Sequence, residues 1–496
     1  MEFLNDNFLL NTQFAVDLYH NWAKNLPIID YHCHLEPQII YNNQNPENIT
    51  KLWITDGDAS SPVGDHYKWR LMRAAGYSED FVTGTASDLD KFQAFAVALE
   101  SALGNPILEW SHLELRRFFG IETVLNSKTS LRLYDELNEQ LKTDNFKPRN
   151  VIANSNVDIL VTTDDPADDL ILHDKLKAEE QRFQVFPAFR PDPAMNVFKS
   201  TFAEYMDRLG ESAKITIKNL SDLEEALTSR INFFHSKGTR LADHGIETFY
   251  YDKASAPEVD KTLKKALKGQ QLSAEEIAAY HTYLQKFLAK EYAKRNWIMQ
   301  MHINAFRDLN TPAFSRSGPN TGHDAMTDTS IARQVVAFFD DLEIEGAQTG
   351  VDTIPRTMLY SLNKNDFLPL IAIGGTHGQN VNGQGVKQKF QLGPAWWFND
   401  TYTGMCQQLE IFSEQSLLGN FTGMLTDSRS LLSYPRHEYF RRILCEFLGN
   451  LEKTGRIPSD IEAAGQVVQN ISYYNAKNYF GLDSSSNAIQ GVVSSG

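Results

Sequence analysis

The chain has 496 residues, 42% of them hydrophobic and 22% charged, a globular balance that excludes disordered and fibrous proteins. Its 47 basic and 63 acidic side chains leave a formal charge of −16, which excludes a general nucleic-acid binder and docking on an anionic membrane. No run approaches the roughly 20 apolar residues of a membrane span, no basic-apolar leader opens the chain, and Cys33, Cys406 and Cys445 form no CxxC pair. A reducing, cytoplasmic setting is expected.

Eight short apolar or β-branched runs predict strands at 26–31, 157–162, 184–189, 239–242, 297–301, 356–360, 369–373 and 422–425, with helix-like stretches between them. That alternation predicts a parallel sheet in a (β/α)8 barrel, whose catalytic groups lie where the strands end. An N-terminal helix and strand one take residues 1–34. Residues 35–150 are too many for one crossover, and positions such as Phe92, Phe95, Leu113 and Phe118 repeat with helical period, so this stretch is expected to be a helical insertion subdomain. Residues 151–483 complete the barrel, with a helical stretch at 254–295 where Ser273-Ala-Glu-Glu is a capping sequence. After the seventh run comes a glycine-rich stretch, 374–385, in which no P-loop Lys-Ser/Thr follows the GxG. Nucleotide binding is not expected there; a mobile loop at the barrel mouth is. The tail 484–496, rich in Ser, Gly and Asn, is expected to lie outside the core.

The strand-one run ends in Asp30-Tyr31-His32-Cys33-His34. On an extended backbone His32 and His34 project to one side, so both imidazoles can reach one metal ion or one substrate; the plain alternative is a polar strand end. The eighth run ends in Thr426-Asp427-Ser428-Arg429. In a closed barrel strands one and eight are neighbours, so Asp427 can join the two histidines as a third ligand, or instead cap a helix.

An HxH ending strand one and an Asp ending strand eight together resemble the amidohydrolase superfamily. The segments Asp65-His66-Tyr67-Lys68-Trp69-Arg70, Trp110-Ser-His112-Leu-Glu-Leu, Phe189-Arg190-Pro191-Asp192, Asp243-His244-Gly245, Met299-Gln300-Met301-His302, Trp396-Trp397-Phe398-Asn399-Asp400 and Thr426-Asp427-Ser428-Arg429-Ser430 then look like those of uronate isomerases, in the family's order. The resemblance implies a distorted (β/α)8 TIM barrel and interconversion of D-glucuronate with D-fructuronate and D-galacturonate with D-tagaturonate. It also implies a divalent metal on His32, His34 and Asp427, with zinc the first expectation, and the absence of a bridging Lys favours a single ion. Asp427, Tyr67 and His66 form the expected catalytic set, proton transfer running through an enediol. Arg190 and Arg429 are expected to bind the substrate carboxylate or neighbouring oxygens, Trp397 to line the pocket, and His302 to bind substrate or metal. Asp243 and His244 stay ambiguous. The glycine-rich stretch looks longer than the family's usual loop. The expected partner is a small hexuronate, with no nucleic acid or membrane and room for a homo-oligomer. The competing readings are a metal-dependent hydrolase of the same superfamily and a non-catalytic sugar-acid binder.

Overall fold

Ile28–Asp30 (β1), Val157–Asp164 (β2), Gln184–Phe189 (β3), Leu241–Ile246 (β4), Ile298–Ile303 (β5), Arg356–Ser361 (β6) and Phe390–Leu392 (β7) form one parallel sheet in chain order. They come from a computed structural model that describes residues 3–57 and 63–482. The expected tail 484–496 lies outside those residues. The strands are near-continuous apolar runs because both faces are covered. Every residue of β5 is buried; Met299, Met301 and Ile303 pack outward with the surrounding helices, whereas Ile298 joins the barrel interior with Ile29, Val161, Leu241 and Tyr360. The period of two therefore turns Ile298, Gln300 and His302 inward in succession, from apolar floor to imidazole at the mouth.

Two of the predicted strands are corrected. Residues 369–373 belong to a helix, Phe367–Gly374 (α2 below), and the seventh strand is Phe390–Leu392. A short apolar run reads alike as buried strand or buried helix; here Asn363 caps the 3-10 turn that leads into the helix. Residues 422–425 lie beside β1 without a ladder. Gly423 has φ 75° and a Cβ there would meet Ile471 O at 2.2 Å, so the backbone cannot extend regularly. Side chains close the seam instead: Asp30 accepts Thr426 N–H at 2.7 Å and its hydroxyl at 2.6 Å, and the Tyr31 hydroxyl donates to Gly423 O at 2.8 Å. Backbone bonds from Asp427 N to His32 O (3.2 Å) and from His34 N to Ser428 O (2.9 Å) finish it.

The glycine-rich stretch is also corrected. It leads into the start of β7, and Val381 N–H bonds to Asp352 ahead of β6, which places it at the amino-terminal face, away from the mouth. Among the described residues, the regular structure between β1 and β2 is helical apart from the two-residue pair Thr55–Asp56 and Val63–Gly64. It contains His66–Ala74 (α1). The 254–295 stretch splits into Ala256–Ala266 and Ala274–Lys294, the latter opened by the Ser273/Glu276 capping box. Pro435–Lys453 (α3) runs down the barrel from just after the closing seam. No helix among the described residues is long and apolar enough to cross a membrane.

Candidate active site

At the β1 seam His32 Nε2 and His34 Nε2 each lie 3.1 Å from Asp427 Oδ1. Two rings from one strand end thus converge on one oxygen, within a donor set whose atoms lie no more than 4.8 Å apart. The indole of Trp396 donates to the other carboxylate oxygen at 2.6 Å. Asp427 has φ 47°, a left-handed conformation that Asp tolerates better than most residues. It caps no helix, because α3 begins later, with Tyr434 in the cap position. Burial alone would raise its carboxyl, yet hydrogen bonds from His32 and His34 hold it well below the usual range. Burial pushes His34 down to about 4 against the pull of Asp427.

Behind this set lies a second acidic centre. Asp243, fully buried on β4, accepts from His302 Nδ1 at 2.6 Å and from Arg190 Nη1 at 2.8 Å, and stands 3.7 Å from His32 Nδ1. Arg190 also donates Nε to Asp192 at 2.7 Å. A Cβ on Gly245 would come within 2.6 Å of Arg190 Nη2 and 2.7 Å of Asp192 Oδ2, so a larger residue here would displace the ends of this pair. Burial opposes ionisation of Asp243, but Arg190, His32 and His302 outweigh it and keep the carboxylate charged. His302 has no partner at Nε2. His244 turns away; both its ring nitrogens are buried without partners, beside Tyr292.

The insertion supplies the wall opposite. Asp65 caps α1 by accepting the Tyr67 N–H at 2.9 Å, which sets His66 and Tyr67 in the first turn at the barrel mouth. Arg429 Nη1 stands 3.1 Å from His66 Nε2. A guanidinium only donates, so Nε2 accepts and the ring hydrogen sits on Nδ1, facing Asp324 Oδ2 at 3.5 Å. The Tyr67 hydroxyl donates to Asp400 and accepts the Phe398 N–H at 3.0 Å. Burial, then the neighbouring Asp400 carboxylate, raises the phenol well above its ordinary value.

One cavity of about 350 Å³ lies between the barrel mouth and this wall. His32, His34, His66, Tyr67, Arg190, His302, Trp397, Asp427 and Arg429, every one singled out in the sequence, line it. The sequence model of the family described as glucuronate isomerase matches residues 1–480.

The chain belongs to the glucuronate isomerase family.

It is 47% identical to the uronate isomerase of Latilactobacillus sakei, over 97% of this chain and 99% of that protein. The crystal structure of the Thermotoga maritima uronate isomerase matches with a TM-score of 0.87 at 32% identity, covering 97% of this chain and all of that one. The Caulobacter crescentus glucuronate isomerase structure, at 23% identity, shares the fold with a TM-score of 0.86 over 97% and 98% of the two chains. The protein is an isomerase with a distorted barrel, and the hydrolase and binding-only readings fall away.

Several residues of this isomerase site escaped the sequence reading. Asp192 lies two residues beyond Arg190 and takes its Nε, while Asp243 takes Nη1. Trp396 and Asp400 flank the expected Trp397 within one segment. Arg307, just past β5, lies 5.0 Å from the Trp397 ring centroid and, like Arg429, has no carboxylate in ion-pair range among the described residues. The two cations oppose each other, and burial followed by Arg307 lowers the Arg429 pKa. Arg436, at the head of α3, donates to Thr426 O at 3.0 Å and stands 3.9 Å from Asp400. A strand-end Arg or a Trp pair is visible in sequence; these partners are set by packing between distant segments.

Proposed function

We propose that this isomerase interconverts D-glucuronate with D-fructuronate and D-galacturonate with D-tagaturonate by moving protons through a cis-enediol. The observation that carries the reading is the meeting in one cavity of a carboxylate kept ionised, Asp427, a phenol, Tyr67, and two cations, Arg307 and Arg429, that have no carboxylate within 4.0 Å among the described residues. Aldose–ketose isomerisation needs a base at C2, return of that proton to C1, and transfer of a hydroxyl proton from O2 to O1. Asp427 takes the C2 proton and returns it to C1. Tyr67 exchanges protons with O1 and O2. Arg429, held through His66, and Arg307 bind substrate oxygens, while Trp397 offers an apolar face to the sugar C–H bonds.

His32, His34 and Asp427 suit one divalent cation, with zinc our first choice. The fit rests on two imidazole nitrogens pointing at one carboxylate oxygen, a convergence that serves a shared ion better than a single proton. When bound, the ion supplies Lewis-acid stabilisation of developing negative charge on a substrate oxygen. The second donor group, His32, Asp243 and His302, has its carboxylate engaged by Arg190, and this favours a single ion. Arg190 acts as a fixed cation that holds Asp243, which in turn orients His302 toward substrate.

We place the protein in the cytoplasm, where its three free cysteines stay reduced, acting on a free hexuronate. The insertion after β1 acts as a cover over the catalytic barrel that β1 and the later strands form. Incubating the purified protein separately with glucuronate and galacturonate tests the reading. A ketose product is expected from each, and neither substrate yielding one overturns it.

A further inference from the structure

Asp400 is 3% exposed and lines the cavity. Its carboxylate accepts the Tyr67 hydroxyl hydrogen, while the Tyr67 oxygen accepts the Phe398 N–H at 3.0 Å. The phenolic proton therefore points at Asp400 and away from any substrate. Facing this pair are Arg436, 3.9 Å from Asp400 and 4.0 Å from Asp65, and Asp427, whose charge acts on Asp400 from across the cavity. Burial raises the Asp400 carboxyl to about 6, although Arg436 and the bond from Tyr67 oppose the shift. A carboxyl in that range can hold a proton briefly and release it near neutral pH.

We propose that Asp400 is a positioning residue and proton relay behind Tyr67. The inference rests on the isomerase chemistry above and deepens it. After the C2 proton has gone to Asp427, the O2–H proton passes to the Tyr67 oxygen as the phenolic proton passes to Asp400. Asp400 then returns its proton to Tyr67 as Tyr67 delivers one to O1. The O2–H bond is replaced by an O1–H bond, and both side chains end as they began. Arg436 keeps Asp400 ionised between turnovers without bonding tightly enough to block protonation.

Asp400→Asn separates this relay from a structural role. Turnover is expected to fall roughly 100-fold, the scale of a lost proton-transfer partner, with little change in KM. In D2O the variant should exchange the C2 hydrogen of recovered substrate more often per product formed, because the carbon base still works while the oxygen transfer lags. Asp400→Glu should regain part of the rate, and Tyr67→Phe/Asp400→Asn should be no slower than Tyr67→Phe alone. Wild-type turnover in Asp400→Asn, or multiplicative losses in the double variant, overturns the relay. Failure of the native protein to isomerise either uronate is a different result, and it sinks the functional reading itself. If Asp400→Asn does not fold, kcat/KM of the native enzyme in H2O–D2O mixtures decides the point. A curved dependence on deuterium fraction supports two protons moving together, and a straight line overturns the proposal.

Discussion

His34 and Asp427, from opposite ends of the chain, meet with Nε2 3.1 Å from Oδ1. The contact exists because the closing segment returns beside β1, fixed there by Asp30 through both polar groups of Thr426. Barrel closure thus also brings Asp427 to the two histidines. A defect in the seam is a defect in the site.

Replacing His34 with Ala removes one of three converging donors and leaves the barrel interior intact. Purified native protein should carry close to one divalent ion per chain by elemental analysis, and His34→Ala should lose most of it. Adding the ion back should raise the melting temperature of the native chain and not that of the variant. Equal metal content in both proteins contradicts the assigned ligands.

Arg190 bridges Asp192 and fully buried Asp243. Arg190→Met leaves Asp243 charged and without its main partner, a change that costs about 3–5 kcal/mol when a buried pair is broken. Chemical denaturation should show that loss. A variant within about 0.5 kcal/mol of the native protein means the pair is not what holds Asp243.

Arg429 has no carboxylate within ion-pair distance among the described residues, so Arg429→Met should spare stability and weaken substrate handling instead. Loss of a charge-assisted bond worth about 1.5–3 kcal/mol should lower kcat/KM by roughly 10- to 150-fold. Unchanged kinetics would remove Arg429 from the site.

The strand ends were the legible part of this protein. His32, His34, Arg190, His302 and Asp427 all follow runs whose apolar character marks them as strands, and their chemistry is unusual enough to stand out. The pairing of Arg190 with Asp243 and of Tyr67 with Asp400 was not legible, because each joins segments whose neighbourhood is decided by packing. Residues 369–373 misled for a different reason: an apolar run of that length fits either helix or strand, and the real β7, Phe390-Gln391-Leu392, is only 3 residues long with a polar centre. The eighth strand position was found although its backbone departs from a ladder, since Asp427 carries the signal regardless of how its segment bonds.

Away from the site, burial at the end of β2 raises the Asp164 carboxyl to about 8 and lowers neighbouring His173 to about 4. A raised carboxyl binds more protons folded than unfolded between its two pKa values, so stability falls as pH rises through that window. His173 acts oppositely, adding stability between about 4 and 6.5. Above 6.5 only the Asp164 contribution of this pair still changes. Stability should therefore decline from pH 6.5 to 8 in the native protein, and Asp164→Asn should flatten the decline. A variant with the native slope rules out Asp164 as its source.

Hydrogen is expected to leave C2 as a proton taken by Asp427 and to return to C1 through an enediol. Running glucuronate to fructuronate in D2O and reading deuterium at C1 by NMR tests it most directly. A base partly open to water washes out the abstracted hydrogen, so substantial deuterium at C1 is predicted, together with its loss alongside turnover in Asp427→Asn. Complete retention of protium at C1 would contradict the account, which has the abstracted proton exchange with water before it returns.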